Sequence, residues 1–228
     1  MHSLETNLNL IRQRISAACA SVGRDVNSVT LVAVSKTVGV EAVQAAVELG
    51  ITDFGENRVS ELVHKSATIP NARWHMIGRL QTNKVKDVVD KACLIHSLDR
   101  WNLAEALQKR ADILDITVPV LLQVNIAGEE QKAGVHPDEV LPFLQSIDQL
   151  PRIKVMGLMT MAPLSANPED SRPVFRELAQ MQKRLQQYEI PNVSLRHLSM
   201  GMSQDFEVAI QEGADLVRIG SSLFQNIG

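Results

Sequence analysis

The feature that most constrains this chain is a strict alternation of eight short, β-branched-rich runs with helical stretches. The strand candidates are Thr30–Ser35, Asp53–Gly55, Arg73–Ile77, Leu94–Ser97, Val118–Asn125, Lys154–Thr160, Ser194–Ser199 and Leu216–Ile219. Helical patterns lie between them at Val40–Leu49, Arg58–Lys65, Asn83–Asp90, Arg100–Asp112, Pro137–Gln149, Pro173–Tyr188 and Gln204–Glu212. Such a repeat gives parallel strands with right-handed crossovers. Eight units close more naturally into a barrel than they spread into an open sheet. An open doubly wound sheet is the competing arrangement, but no G-x-G-x-x-G follows the first strand. A leading amphipathic helix carries Leu4, Leu8, Ile11, Ile15, Ala18 and Val22 on one face, with Gly23 placed to stop it. The pattern predicts an α/β fold: a (β/α)8 TIM barrel with an extra N-terminal helix, one domain over residues 1–228.

Composition narrows the function classes. A net charge of −3 gives no footprint for nucleic acid or anionic membrane. The apolar runs reach only about four residues (Leu31 to Val34), against the ~20 needed to span a bilayer. No basic stretch leads into an apolar one at the N-terminus, so no signal peptide is expected and the cytoplasm is the simplest location. Cys19 and Cys93 are too few for a disulfide framework and sit among apolar neighbours as small hydrophobes. The histidines show no metal-ligand spacing.

A barrel places its chemistry at the C-terminal ends of its strands. Lys36 directly follows the apolar run Leu-Val-Ala-Val-Ser. Dry surroundings there would disfavour the ammonium form and leave an amine able to form a Schiff base with an aldehyde. A lysine snorkelling from the barrel mouth, or pairing with Glu56, is the plainer reading. The loops after the last two strands, Ser199-Met-Gly-Met-Ser203 and Gly220-Ser221-Ser222, are small and hydroxyl-rich. Phosphate sites in barrels are often built there, and Ser203 precedes a helix whose N-terminus would add a positive dipole end. Turns made by Gly201 and Gly220, with Ser203 as a simple N-cap, account for the same residues. Arg218 lies in the last strand, where it either pairs with Glu56 or Asp205 or donates to a ring nitrogen. Together these residues describe a site for a small phosphorylated aldehyde with a heteroaromatic ring. Pyridoxal phosphate (PLP) fits, and a phosphorylated sugar aldehyde fits less well because it leaves Arg218 unused.

At this point the chain resembles the pyridoxal phosphate homeostasis family, PLP-binding barrels of the alanine racemase N-terminal-domain type. The resemblance runs through LVAVSKT (31–37), FGENRVSE (54–61), WHMIGRLQTNK (74–84), IHSLDR (95–100), QVNIAGEEQKAG (123–134), GLMTMAP (157–163), LSMGMSQDFEVAI (198–210) and VRIGSSLF (217–224). It implies PLP held covalently on Lys36, phosphate bound by Ser199, Gly201, Ser203, Gly220 and Ser221, and Arg218 at the pyridine nitrogen. Asn57, His75 and Ile77 would line the pocket. Some positions depart from the family pattern: Val38-Gly39 in place of Lys-Pro, Arg58 in place of an aromatic, Arg79 in place of Pro, and Gln225 in place of Gly. Lys132 matches a family lysine and otherwise reads as a solvated loop charge.

The resemblance leaves three activities to weigh: a carrier that supplies PLP to apo-enzymes, an amino-acid racemase, and a Schiff-base aldolase. Racemisation needs proton donors and acceptors on both faces of the substrate, the second of which alanine racemase takes from a tyrosine in a further domain. Here the chain ends after its eighth unit and its single tyrosine, Tyr188, falls on the apolar face of a helix. A cation at the ring nitrogen also makes a poorer electron sink than an acid. An aldolase would need acid and base groups near Lys36, for which Glu56 and Asp99 carry no recognisable spacing. The expectation is therefore a monomeric PLP carrier without a dedicated reaction, touching recipient apo-enzymes only transiently.

Overall fold

A computed structural model describes residues 2–128 and 133–226, so Lys132 lies outside the described residues. Eight strands, β1 (Thr30–Val34), β2 (Asp53–Glu56), β3 (Arg73–Met76), β4 (Leu94–Leu98), β5 (Val118–Gln123), β6 (Ile153–Met159), β7 (Val193–Ser199) and β8 (Leu216–Ile219), form a closed barrel in chain order. Every neighbouring pair is parallel, and β8 closes on β1 with Val32 opposite Arg218. The expected α/β barrel is the observed fold.

Around it run α1 (His2–Ser21), α2 (Val40–Glu48), α3 (Val59–Thr68), α4 (Val85–Val88), α5 (Trp101–Leu114), α6 (Val140–Ser146), α7 (Arg172–Leu185) and α8 (Phe206–Gln211). On α1, Leu4, Leu8, Ile11 and Ile15 are buried, while Val22, beyond the helix end, is exposed. Gly23 takes φ +68° there, and the N–H of Arg24 reaches back to the Cys19 carbonyl, closing the helix with a left-handed glycine. This helix packs against α8, and Asn7 donates to the carbonyls of Leu223 and Gln225, tying the two ends of the chain together.

Two of the expected helices break into shorter pieces. The stretch from Asn83 becomes a 3-10 turn followed by the one-turn α4, and the Pro137–Gln149 pattern splits into 3-10, α6 and 3-10 segments. Pro142 has no N–H to give the carbonyl four residues earlier, so the first turn tightens into i→i+3 bonds.

Most of the core lies between barrel and helices. Inside the barrel Val32, Leu94, Leu121, Met159 and Leu216 form a separate apolar cluster. The remaining interior is polar: Asp53, His75, His96, Ser199 and Arg218 are all buried. Barrel interiors are ordinarily filled by branched aliphatic side chains.

Candidate functional site

A pocket of about 450 Å³ opens at the C-terminal ends of the strands, within the range that takes a small ligand. Among its walls are Lys36, Asn57, Ile77, Ser203, Arg218 and Gly220. Lys36 sits in the turn after β1, is exposed, and among the described residues has no hydrogen-bond or ion-pair partner. Water reaches its side chain, so the dry surroundings expected from the preceding apolar run are absent. Its proposed partner is occupied elsewhere. Glu56 lies outside the barrel wall, where its Oε1 accepts from Lys65 Nζ at 2.7 Å and from Ser35 Oγ at 2.6 Å. Lys65, from α3, also donates to the Ser35 carbonyl at 2.8 Å. The residue before Lys36 is thus fixed by a buried ion pair, while Lys36 itself is unpaired among the described residues.

On the opposite side the loops after β7 and β8 meet. Ser203 does not cap a helix: α8 begins at Phe206, and Asp205 precedes it. The Asp205 carboxylate accepts from the Met202 N–H at 2.7 Å and from Ser171 Oγ at 3.0 Å, so the turn closes before the helix starts. Ser203 Oγ instead accepts from the N–H groups of Gly220 and Ser222 at 3.3 and 3.4 Å, knitting the two loops together. Ser222 Oγ is buried with no partner, an orphaned donor of the kind that proteins rarely leave unexplained. Gly201 takes φ +88°, and a Cβ there would stand 2.5 Å from that of Ala209, so glycine permits both the turn and the close approach. Ser221 and Gly220 line the pocket, whereas Gly201 lies just behind it.

Arg218 forms the inner wall and is buried. Its Nη1 donates to Ser199 Oγ at 2.5 Å and its Nη2 to the Thr160 carbonyl at 3.0 Å. Neither Glu56 nor Asp205 bonds to it, although the Asp205 charge favours the cation; burial prevails and brings its pKa down to about 10. Ser199 is therefore engaged with Arg218 rather than turned into the pocket. His75, expected at the pocket wall, lies in the barrel interior between Asp53 and His96. Tyr188 is half-exposed beyond α7 and does not line the pocket.

Several contributors escape sequence reasoning. A Cβ on Gly78 would fall 2.2 Å from the Asn57 carbonyl oxygen, so the chain after β3 crosses the chain after β2 in direct backbone contact. Met161, Pro163 and Leu164 form an apolar lip, with Leu164 86% exposed. A wider cleft of about 1250 Å³ shares Asn57 and Arg79 with the pocket and adds Arg58, Lys84, Lys86 and Arg100. These cations come from separate segments, and the overall net charge conceals their gathering.

A parallel barrel with a lysine after its first strand and hydroxyl-bearing loops after its last two belongs to the alanine racemase N-terminal-domain class. The family model described as "Alanine racemase, N-terminal domain" matches residues 3–226. Within that class, a pyridoxal phosphate homeostasis protein of Aquifex aeolicus is 48% identical over 219 residues, covering 95% of this chain and 95% of that protein. One from Haemophilus influenzae is 37% identical over 226 residues, covering 97% and 95%. The solved structure of PipY from Synechococcus elongatus PCC7942 with PLP bound superposes with a TM-score of 0.80 at 36% identity, covering 92% of this chain and 99% of that one. The chain belongs to the pyridoxal phosphate homeostasis protein family.

Proposed function

We propose that this protein binds PLP reversibly on Lys36 and hands it to apo-enzymes, without a dedicated reaction of its own. The observation that carries the reading is an exposed lysine amine, unpaired among the described residues, sharing one pocket with the small hydroxyl-bearing loops after β7 and β8 and a buried guanidinium. The donor set suits the group: Lys36 Nζ for the aldehyde, the pocket-lining Ser203, Gly220 and Ser221 of the two small loops for the phosphate, and Arg218 for the ring nitrogen. When bound, PLP supplies a reactive aldehyde. Lys36 condenses with that carbon, releasing one water, and water reverses the bond. Exposure of Lys36 favours exchange over retention, as a carrier requires.

Arg218 restrains further chemistry, because a fixed cation at the ring nitrogen keeps it from taking a proton. Among the described residues, the other ionisable side chains lining the pocket are Arg79, a cation, and Asp205, whose carboxylate is bonded to Met202 and Ser171. Neither is placed as a free base opposite Lys36, which supports the carrier over the racemase or aldolase. The carrier is read as a cytoplasmic monomer; among the described residues no helix is long and apolar enough to cross a membrane.

Adding PLP to the purified protein is expected to produce a visible absorption band that borohydride fixes onto the peptide containing Lys36. A protein that stays colourless would sink the proposal, and isomerisation of alanine or serine enantiomers would restore the racemase. Ser203→Ala removes the acceptor that joins the two loops. It should weaken PLP binding about tenfold, the equivalent of one good hydrogen bond at about 1.4 kcal/mol, measured by absorbance titration. An unchanged affinity would place the phosphate elsewhere.

A further inference from the structure

The polar groups inside the barrel form one continuous chain. Arg218 Nη1 meets Ser199 Oγ at 2.5 Å, Ser199 Oγ meets His96 Nδ1 at 2.8 Å, His96 Nε2 meets His75 Nδ1 at 2.9 Å, and His75 Nε2 meets Asp53 Oδ1 at 2.9 Å. The five residues come from β8, β7, β4, β3 and β2, so the chain crosses the barrel from the pocket wall to the first residue of β2. We propose that Asp53, His75, His96 and Ser199 are positioning residues for Arg218, forming a relay whose hydrogen-bond direction is set by whether His75 carries one proton or two.

The ends of the chain are fixed by chemistry. A guanidinium only donates, and a carboxylate only accepts. With both histidines neutral, one assignment uses every group: Arg218 donates to Ser199, the Ser199 hydroxyl to His96 Nδ1, His96 Nε2–H to His75 Nδ1, and His75 Nε2–H to Asp53. All donors then point from cation to anion, and each bond polarises the next. A second proton on His75 reverses the middle of the chain. His75 Nδ1–H now donates to His96 Nε2, and His96 Nδ1–H donates to Ser199 Oγ. The Ser199 oxygen accepts from both sides, and its own proton leaves the relay. The two states hold Arg218 differently: in the first the Ser199 oxygen is backed by an anion, in the second by a cation.

The surroundings bring this change into an accessible range. Around His75 stand Asp53 from β2, the Cys93 thiol just before β4, and His96 from β4. Asp53 is itself held by Thr52 Oγ1 at 2.7 Å and Arg73 Nε at 3.1 Å. Burial pushes the His75 imidazole down, but the hydrogen bond to Asp53 and the Asp53 charge, with the Cys93 sulfur nearby, outweigh it and raise its pKa to about 8. His96 is held well below its ordinary value, by burial first and then by the charges of His75, Arg218 and His197. It therefore stays neutral throughout and can only exchange one tautomer for the other.

Nitrogen NMR of histidine-labelled, ligand-free protein from pH 6 to 9.5 reads this directly. The expected result is that His75 titrates near pH 8 and that the proton on His96 moves from Nδ1 to Nε2 with the same midpoint. A purely structural role would leave His96 in one tautomer while His75 titrates, and that result overturns the relay. In Asp53→Asn the anion is lost, and both midpoints should fall together by at least one pH unit; the wild-type measurement decides if this variant does not fold. The inference rests on the proposed function only for what Arg218 faces. A colourless protein with a switching His96 would therefore remove the PLP reading and keep the relay, and a coloured protein with a fixed His96 would do the reverse.

Discussion

Replacing Lys36 by alanine is expected to abolish the visible PLP band and the borohydride-stable label together, while leaving the fold intact. The two halves of this result have separate causes. Lys36 is exposed and has no partner among the described residues, so its removal breaks no contact; substitutions of that kind stay within about 0.5 kcal/mol. The loop junction of Ser203, Gly220 and Ser222 and the Arg218 guanidinium are untouched. PLP should still bind to Lys36→Ala, but as a freely exchanging ligand that gel filtration removes. Lys36→Arg separates charge from nucleophilicity: it keeps a cation at the same place but cannot condense with an aldehyde at ordinary pH. Both variants should melt with the parent and both should be colourless. A persistent band in either would mean that a different amine carries the cofactor.

The barrel was legible because it rests on local chemistry repeated eight times. Each β-branched run and each helical period marks its own element, and closure follows from their number. Helix ends were less legible: Pro142 tightened one first turn, and Asp205 rather than Ser203 came to precede α8. In the site, order along the chain located Lys36, Asn57, Ile77, Ser203, Gly220 and Ser221 at one mouth because strand ends converge there. Sequence position did not say where a polar side chain would turn. His75 alternates inward on β3, and only the approach of Asp53 and His96 from neighbouring strands makes it part of a chain rather than of a pocket wall. Gly78 is the same kind of case. Its need for glycine comes from the Asn57 backbone, twenty-one positions away in sequence and in contact in space.

Lys65 shows most sharply what periodicity hides, and its replacement by methionine is expected to cost about 3–5 kcal/mol. On α3 it reads as one more charge on a solvated face, yet it is 1% exposed and its ammonium is divided between Glu56 Oε1, the Ser35 carbonyl and, at 3.3 Å, Glu61. Glu56 is wholly buried, and its Oε2 has no hydrogen-bond partner. The lysine therefore supplies the charge that keeps this carboxylate in place. Lys65→Met preserves the stem and its packing but leaves an unpaired anion in the core, a far larger penalty than the loss of one hydrogen bond. For a chain of this size that corresponds to a fall in Tm of roughly 10 °C. Adding Glu56→Gln neutralises the remaining charge while its amide oxygen can still accept from Ser35, so the double variant should recover more than half of the loss. The site should feel the single change as well: Ser35 loses the cation on its carbonyl, and the turn that presents Lys36 loosens, weakening PLP retention. If Lys65→Met melts within about 2 °C of the parent, the carboxylate has escaped its penalty by taking up a proton, and the ion pair does not hold the first strand's end in place.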